Sequence, residues 1–299
     1  YMTGYLRSFR LLFPLWHETA GKLAGNNHKK EMHMKKEPLF IAFASQKGGV
    51  GKTAFTVLTA GILRYQRGYN VVVVDCDPPQ HSIGLMRDRD LECVKENDSL
   101  KMALYRQYKQ KPQKAYPIIK SEPENAVENF YRYMREQETE FDIVLFDLPR
   151  AFRYMGMIRT LALMHHIFIP LKADDAVMQS TLQFASVIRE ELVSHEDYPL
   201  KGIHLFWNMI DKREDKGTFE AWNKTICDSK LHLMTTCVPE TKRYNREASS
   251  MQGGIFRSTL LLPDNQQVKG SGLMELVDEI CGIIGLAEKQ GESPMTNLM

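Results

Sequence analysis

A glycine- and lysine-rich loop constrains this chain more than any other feature. The loop occupies residues 45–53 and reads SQKGGVGKT. The apolar run 38–44 before it has the length of a buried strand, and apolar residues at helical spacing follow it to about Gly68. Strand, glycine-rich loop and helix in this order predict a phosphate-binding loop. In such a loop, successive backbone N–H groups turn toward one anion at a helix N-terminus.

Both backbone and side chains of the loop are expected to bind the phosphates and the metal ion. Lys52 is expected to reach the β- and γ-phosphates of a nucleotide, and the Thr53 hydroxyl to ligate Mg²⁺. The expected nucleotide-binding set around the phosphates is Gly48, Gly49, Val50, Gly51, Lys52, Thr53 and Ala54. The ligand predicted from this loop is a nucleoside triphosphate with Mg²⁺, which the resemblance described below narrows to ATP.

Two later strands end in carboxylates. The buried run 71–74 leads into Asp75-Cys76-Asp77-Pro78, and the run 143–146 leads into Asp147. Open α/β sheets bind ligands at the carboxyl ends of their parallel strands. Asp147 therefore has the position of a Walker B carboxylate, which holds Mg²⁺ directly or through water.

Strands alternate with helices along the chain. Further strands are predicted at 167–171 and 202–208, helices at 126–134, 176–192 and 273–286, and a loop at 209–213, while 84–140 is expected to be mostly helical. This order predicts an α/β fold, with a doubly wound, mostly parallel sheet and helices on both faces. We expect one P-loop domain over 34–299. Residues 1–33 are expected to be an extension outside it, disordered or not native to the protein.

Composition excludes several classes of protein. The net charge is +2, with +5 in residues 1–36 and −3 in the remainder, so a globally basic nucleic-acid binder is excluded. Five scattered cysteines without a C-x-x-C pair predict a cytoplasmic protein with neither disulfides nor structural zinc. No apolar run approaches the ~20 residues that span a bilayer, so stable membrane insertion is not expected. His165 and His166 are interpreted as strand-edge residues and not as metal ligands.

The motifs together resemble a known family. The run KGGVGKT, the D-x-D-P element at 75–78 and the D-x-P ending at 147–149 resemble the ParA/MinD family of P-loop ATPases with a deviant Walker A motif. The resemblance covers about residues 34–286. The pairing of SQKGGVGKT with DCDPPQHS at 75–82 is most similar to the ParA-type TraA proteins of conjugative transposons.

The resemblance implies roles for individual residues. Lys47 would reach across a dimer interface to the partner's nucleotide, Asp77 would position the attacking water, and Asp75 would support the Mg²⁺ region. Asn208 would contact the adenine ring. The implied protein is a slow ATPase, producing ADP and phosphate, that forms a homodimer on binding ATP. It would act in DNA partition or conjugative DNA transfer, stimulated by dimerisation and by a ParB-like or transfer-complex activator.

Two stretches are candidates for contact with DNA. The segment 239–248 resembles a late segment of the family and holds Lys242, Arg243 and Arg246, which form either a phosphate-backbone patch for non-specific DNA or an ordinary solvated helix start. The stretch 101–116 interleaves five cations with three tyrosines. It is typical of a solvated helix face, with nucleic-acid contact as the alternative.

The sequence departs from the family's pattern at two positions, and other functions stay open. Ala54 stands where relatives usually carry a threonine that bonds the α-phosphate, and Arg150 stands where a small residue or proline is common. The alternatives are a MinD-like positioning ATPase at a membrane, a P-loop small-molecule kinase or synthetase, and a nucleotide switch that does not hydrolyse ATP.

Overall fold

The computed structural model describes residues 37–149, 155–194, 197–211, 216–248 and 255–286. The predicted extension 1–33 lies outside the described residues, and so does Arg150. Within the described ranges, no helix combines the length and apolar character needed to cross a bilayer.

A seven-stranded, fully parallel sheet forms the centre of the molecule, with strand order β3-β2-β4-β1-β5-β6-β7. The strands are β1 (Leu39–Phe43), β2 (Val71–Asp75), β3 (Ile118–Lys120), β4 (Ile143–Asp147), β5 (His166–Leu171), β6 (Gly202–Ile210) and β7 (His232–Pro239). The expected doubly wound α/β fold is confirmed, and every strand pair in the sheet is parallel.

Helices connect the strands. They are α1 (Lys52–Gly61), α2 (Ser82–Glu96), α3 (Asp98–Gln110), α4 (Ala126–Glu136), α5 (Met155–Ala162), α6 (Asp175–Ile188), α7 (Lys216–Asp228), α8 (Asn265–Val268) and α9 (Leu273–Ile284). Helices α1 and α6 each continue into one π-helical turn, Ile62–Gln66 and Arg189–Val193. The predicted helices at 52–68, 126–134, 176–192 and 273–286 are confirmed with small shifts of their ends.

The sheet separates two hydrophobic cores because side chains alternate along each strand. In β1, Phe40 and Ala42 face the core that holds α4 and α6, while Ile41 and Phe43 face the core that holds α1, α2 and α9. Both faces of the central strands are buried, which explains their continuous apolar sequences.

The order of the strands brings the predicted motifs to one place. The chain leaves β1 toward β2 and β3, returns through β4 beside β1, and then continues on the other side through β5, β6 and β7. Asp75 is paired with Asp147 in the register of β2 and β4, and Asp147 is paired with Phe43 of β1. The loops after β1, β2 and β4 therefore meet at the carboxyl edge of the sheet, where the winding direction reverses.

Three details differ from the sequence predictions. Strand β3 lies inside the stretch expected to be mostly helical, and β7 was not predicted. Both are edge strands with half-exposed residues, so neither carries a continuous apolar run. Met209 and Ile210 belong to β6 and not to a loop, because β6 extends to pair Ile210 with Pro239 across an irregular register.

Candidate functional site

The phosphate-binding loop crosses from β1 to α1 in a conformation that needs glycine. Gly51 precedes the first residue of α1 with a φ of 87°, in the left-handed region. A Cβ added there would lie 3.0 Å from Cε2 of Phe55 and 3.3 Å from Nδ2 of Asn208. The same Asn208 amide donates a hydrogen bond of 3.0 Å to the carbonyl of Val50. The end of β6 thus fixes the back of the loop.

Thr53 and Asp147 come together as the sequence predicts. The Thr53 hydroxyl donates to Oδ2 of Asp147 at 2.8 Å. The Asp147 side chain is buried, and its second oxygen, Oδ1, has no hydrogen-bond partner among the described residues. Burial raises the pKa of Asp147 to about 7; the Thr53 hydrogen bond opposes this rise and the nearby Asp75 carboxylate adds to it.

This pair fits a magnesium ion. A buried carboxylate oxygen without a donor is costly unless something positive binds it. Mg²⁺ is commonly held by one or two protein oxygens, with water and phosphate oxygens completing the octahedron. The described residues contain no group of three His, Cys, Asp or Glu side chains that could form a metal cage from protein alone. Thr53 and Asp147 therefore fit the magnesium of a bound nucleotide.

Asp75, at the carboxyl edge of the sheet, stabilises the start of helix α2. It is fully buried, and its Oδ2 accepts hydrogen bonds from the backbone N–H groups of Ile83 (3.0 Å) and Gly84 (3.1 Å) in the first turn of α2. A carboxylate at this position satisfies backbone donors that have no partner within the helix. Asp75 thereby fixes the start of α2. Its predicted support of the metal region stays a prediction.

A cleft of 480 Å³ opens over the loop. Of the predicted residues, its lining contains Gly49, Val50, Gly51, Lys52, Thr53, Ala54, Asp77, Asn208 and Lys242. The structure thus brings the phosphate-binding loop, the predicted water-positioning aspartate and the predicted adenine-contacting asparagine to one cavity.

Lys47 and Gly48 do not line this cleft. Both are exposed, and the backbone of Lys47 is held by Ser45, whose hydroxyl lies 3.1 Å from both the N–H and the carbonyl of Lys47. Lys52 is buried at the first turn of α1 and belongs to the cleft. The two lysines of the loop are therefore placed differently, one inside the cleft of its own chain and one on the surface.

The wall of the cleft holds an ion cluster that the sequence does not predict. The Glu247 carboxylate accepts from Arg89 at 2.9 Å and from Arg257 at 2.5 Å, and all three residues line the cleft. Arg89 lies on α2, while Glu247 and Arg257 form an isolated parallel bridge. No local motif could have revealed the cluster, since its members are far apart in sequence.

Two of the three candidate DNA-binding cations are engaged within the chain. Arg243 donates to the carbonyls of Gln267 (3.0 Å) and Lys269 (2.8 Å), and Arg246 donates to Oε1 of Gln267 (2.8 Å). These contacts attach the 3₁₀ turn Lys242–Asn245 to the segment around α8. Lys242 is exposed beside the cleft. A role of these cations in DNA binding stays a prediction.

Comparison with protein families matches residues 41–254 to the CobQ/CobB/MinD/ParA nucleotide binding domain. The chain belongs to this family. The match spans more than half of the chain and includes the loop, both carboxylate motifs and Asn208. Membership in the family that includes ParA and MinD confirms the resemblance drawn from the sequence and makes the chain a P-loop nucleotide-binding protein. Among curated protein sequences, none matches it.

Solved structures with similar folds include a ParA family ATPase, a cell division protein and a cobyrinic acid a,c-diamide synthase. A ParA family ATPase from Chlorobium tepidum TLS has a TM-score of 0.53 at 15% identity, covering 81% of this chain and 97% of that one. MinD cell division protein from Aquifex aeolicus has a TM-score of 0.51 at 15% identity, covering 83% and 98%. Cobyrinic acid a,c-diamide synthase from Mycobacterium smegmatis, with bound ADP and magnesium, has a TM-score of 0.51 at 18% identity, covering 86% and 100%. At these identities the similarity shows a shared fold.

Proposed function

We propose that this protein is a Mg²⁺-dependent ATPase of the ParA type. It dimerises on binding ATP and acts in DNA partition or conjugative DNA transfer in the cytoplasm. The observation that carries the proposal is the unequal placement of the two loop lysines. Lys52 lies in the cleft with Thr53, whose hydroxyl donates to the buried Asp147, while Lys47 is exposed outside the cleft. An exposed lysine on a phosphate-binding loop is positioned to serve a site on another molecule.

In the proposed reaction, the chain supplies binding, orientation and charge. The backbone N–H groups of residues 48–53 and the Lys52 ammonium bind the β- and γ-phosphate oxygens. Thr53 and Asp147 would hold Mg²⁺, which supplies charge neutralisation at those oxygens. Asp77 orients the water that attacks the γ-phosphorus, and ADP leaves.

Lys47 of the second copy supplies the remaining positive charge to the developing transition state. Such a cation in trans is worth about 10³–10⁵ in rate in related phosphoryl-transfer enzymes. A lone subunit would therefore bind ATP and cleave it very slowly. Non-specific duplex DNA, contacted through Lys242 and the nearby arginines, and a ParB-like or transfer-complex activator are the proposed partners. The narrower similarity to TraA proteins of conjugative transposons stays a prediction.

The proposal is tested by following dimerisation and DNA binding in the wild type and in Lys47→Ala, with and without ATP. We expect wild-type protein to dimerise and bind duplex DNA only with ATP, and to release DNA after hydrolysis. Lys47→Ala should bind ATP nearly as well while losing turnover. The matched variant Lys52→Ala removes the lysine inside the cleft and should lose ATP binding itself. Full turnover by a monomeric wild type would contradict the proposal.

A second candidate is a P-loop synthetase or small-molecule kinase, and the wall of the cleft favours it. Arg89 and Arg257 share the Glu247 carboxylate at this wall, so this cluster of three described residues carries one more positive than negative charge. A wall of this kind suits a second, carboxylate-bearing substrate. The measurement that separates the two functions is ATP turnover with small carboxylic acids or with duplex DNA. Stimulation by an acid and not by DNA would favour the synthetase.

A further inference from the structure

Helix α3 is attached to the molecule mainly by polar contacts. None of its residues is buried. The Gln107 side chain donates to the carbonyl of Leu260 at 2.9 Å and accepts from the N–H of Leu262 at 2.8 Å. Asn97 caps its first turn through the N–H groups of Ser99 and Leu100. The helix therefore has an inner side that docks on the body and an outer side that faces solvent.

The outer side of α3 exposes aromatic rings. Tyr105 and Tyr108 are each 53% exposed, and Met102 is 49% exposed. Because residues three and four apart share one face of a helix, Lys101, Tyr105 and Tyr108 form a continuous row. The ammonium of Lys109 lies 5.4 Å from the centroid of the Tyr105 ring. A helix face that only contacts water gains nothing from two exposed rings in a row.

The same face is positively charged. Helix α3 carries three cations, Lys101, Arg106 and Lys109, against the single carboxylate of Asp98, and Lys111 and Lys114 follow in the connection after it, although the whole chain carries only +2. Lys101 is paired with Asp98 at 2.7 Å, and Lys111 donates to the carbonyl of Gln66 at 3.1 Å. Arg106, Lys109 and Lys114 are exposed. The outer side of α3 thus combines stacking surfaces with cations spaced along them.

We propose that the outer face of α3 binds single-stranded nucleic acid. Unpaired bases stack on Tyr105 and Tyr108, while Lys101, Arg106 and Lys109 contact the phosphate backbone. Stacking of this kind requires bases with open faces, which a closed duplex does not offer. A lipid surface would require a wider apolar face than two tyrosines and a methionine, and a second copy of this face would oppose its cations. The surface lies outside the cleft, so binding here needs neither ATP nor a dimer.

The first test uses full-length protein without nucleotide and a fluorescein-labelled dT20 oligonucleotide, with binding followed by fluorescence anisotropy. We expect binding by the wild type, and weakening of about five-fold or more for each ring removed in Tyr105→Ala and Tyr108→Ala. Tyr105→Phe and Tyr108→Phe keep the ring and should bind like the wild type. Both rings are exposed, so these changes should leave the melting temperature and the ATP turnover unchanged.

The second test concerns charge. Changing Lys101, Arg106 and Lys109 to Gln should weaken binding and lower the slope of log K against log salt by about 0.7 for each phosphate that the variant no longer neutralises. Arg132→Gln with Arg135→Gln is the matched control on α4, which packs on the other face of the sheet. That control should leave both affinity and slope unchanged.

Several outcomes would overturn the inference. These are failure of the ATP-free wild type to bind dT20, unchanged binding by the double tyrosine-to-alanine variant, or an equal loss of duplex binding in that variant. Tyrosine-dependent co-sedimentation with anionic vesicles, or tyrosine-dependent self-association without oligonucleotide, would assign the face to a membrane or a second copy instead. ATP turnover and ATP-dependent dimerisation are measured separately, so failure here leaves the proposed function to its own test.

Discussion

At the scale of single residues, the buried Asp147 is the centre of the site. One of its oxygens accepts from Thr53, and the other has no partner among the described residues. A buried carboxylate oxygen without a hydrogen-bond donor fits a cation, which is why we expect Mg²⁺ at Asp147. Asp75, paired with it across β2 and β4, shows the contrasting case, since its Oδ2 is satisfied by the N-terminus of α2.

Replacing Asp147 separates the metal from the nucleotide. In Asp147→Asn the side chain keeps its size and an oxygen for Thr53 but loses its charge. Mg²⁺ should strengthen ATP binding much less in this variant than in the wild type. We expect a loss of at least about 10–100-fold, because removing a residue that only supports a metal ligand already costs that much metal affinity. Calorimetric titration of ATP with and without Mg²⁺ measures this loss, and Asp228→Asn, at an exposed residue of α7, is the control. An undiminished Mg²⁺ effect in Asp147→Asn would show that the metal is held elsewhere.

Replacing Ala54 by threonine should strengthen ATP binding. It lines the cleft next to Thr53, where relatives usually carry a second threonine. In Ala54→Thr, one added hydrogen bond to the α-phosphate should strengthen ATP binding by about 0.5–1.5 kcal/mol, or roughly 2–12-fold. Ala54→Val has nearly the same shape without the hydroxyl and controls for packing. ATP binding by Ala54→Thr that is no tighter than that of the wild type would count against this role.

At the scale of secondary-structure elements, a row of histidines crosses β5, β6 and β7 at the sheet edge away from the cleft. Nδ1 of His166 lies 3.0 Å from Nε2 of His204, and Nδ1 of His204 lies 2.9 Å from Nδ1 of His232. Each contact needs one protonated and one bare nitrogen, and a neutral His204 meets this by donating through one ring nitrogen and accepting through the other. Burial lowers the pKa of His166 to about 4, with Lys201 adding to the shift, and the pKa of His204 to about 3, with His166 and His232 adding.

The histidine row predicts a loss of stability in acid. A histidine in the unfolded chain has a pKa near 6.5. Below that pH the unfolded chain therefore binds protons at these histidines, while the folded protein keeps His166 and His204 neutral. The free energy of unfolding should therefore fall by roughly 2–3 kcal/mol for each of His166 and His204 as the pH drops from 6.5 to 4. Urea unfolding across this range should show a shallower fall in His204→Gln. Parallel curves for His204→Gln and the wild type would contradict the assignment.

Features of the structure that arise from local sequence patterns could be predicted, and features that depend on contacts between distant segments could not. The loop, the strands ending in Asp75 and Asp147, and the alternation of strands with helices are local patterns, and they were sufficient for the fold and for the Thr53–Asp147 pair. Edge strands β3 and β7 lack a local pattern because one side of each meets solvent. The Arg89–Glu247–Arg257 cluster depends on contacts between distant segments, which periodicity does not encode.

At the scale of the whole molecule, the proposed site requires two copies of the chain. The cleft holds Lys52, Thr53 and Asp77, whereas Lys47 is exposed outside it. A complete site would then combine the cleft of one subunit with the Lys47 of another, which makes turnover depend on protein concentration and on ATP-driven dimerisation. Any factor that promotes or prevents dimerisation would therefore also raise or lower the rate of ATP hydrolysis.

Mixing two inactive variants tests this most directly. Lys47→Ala keeps an intact cleft and lends no lysine, while Asp77→Ala lends its lysine but cannot orient water. If Lys47 acts in trans, half of the dimers in an equimolar mixture are mixed, and each has one complete site, so the mixture should recover roughly a quarter of wild-type ATP turnover. If Lys47 acts within its own subunit, the mixture will stay as inactive as its two components, and the proposal of a shared site will be wrong.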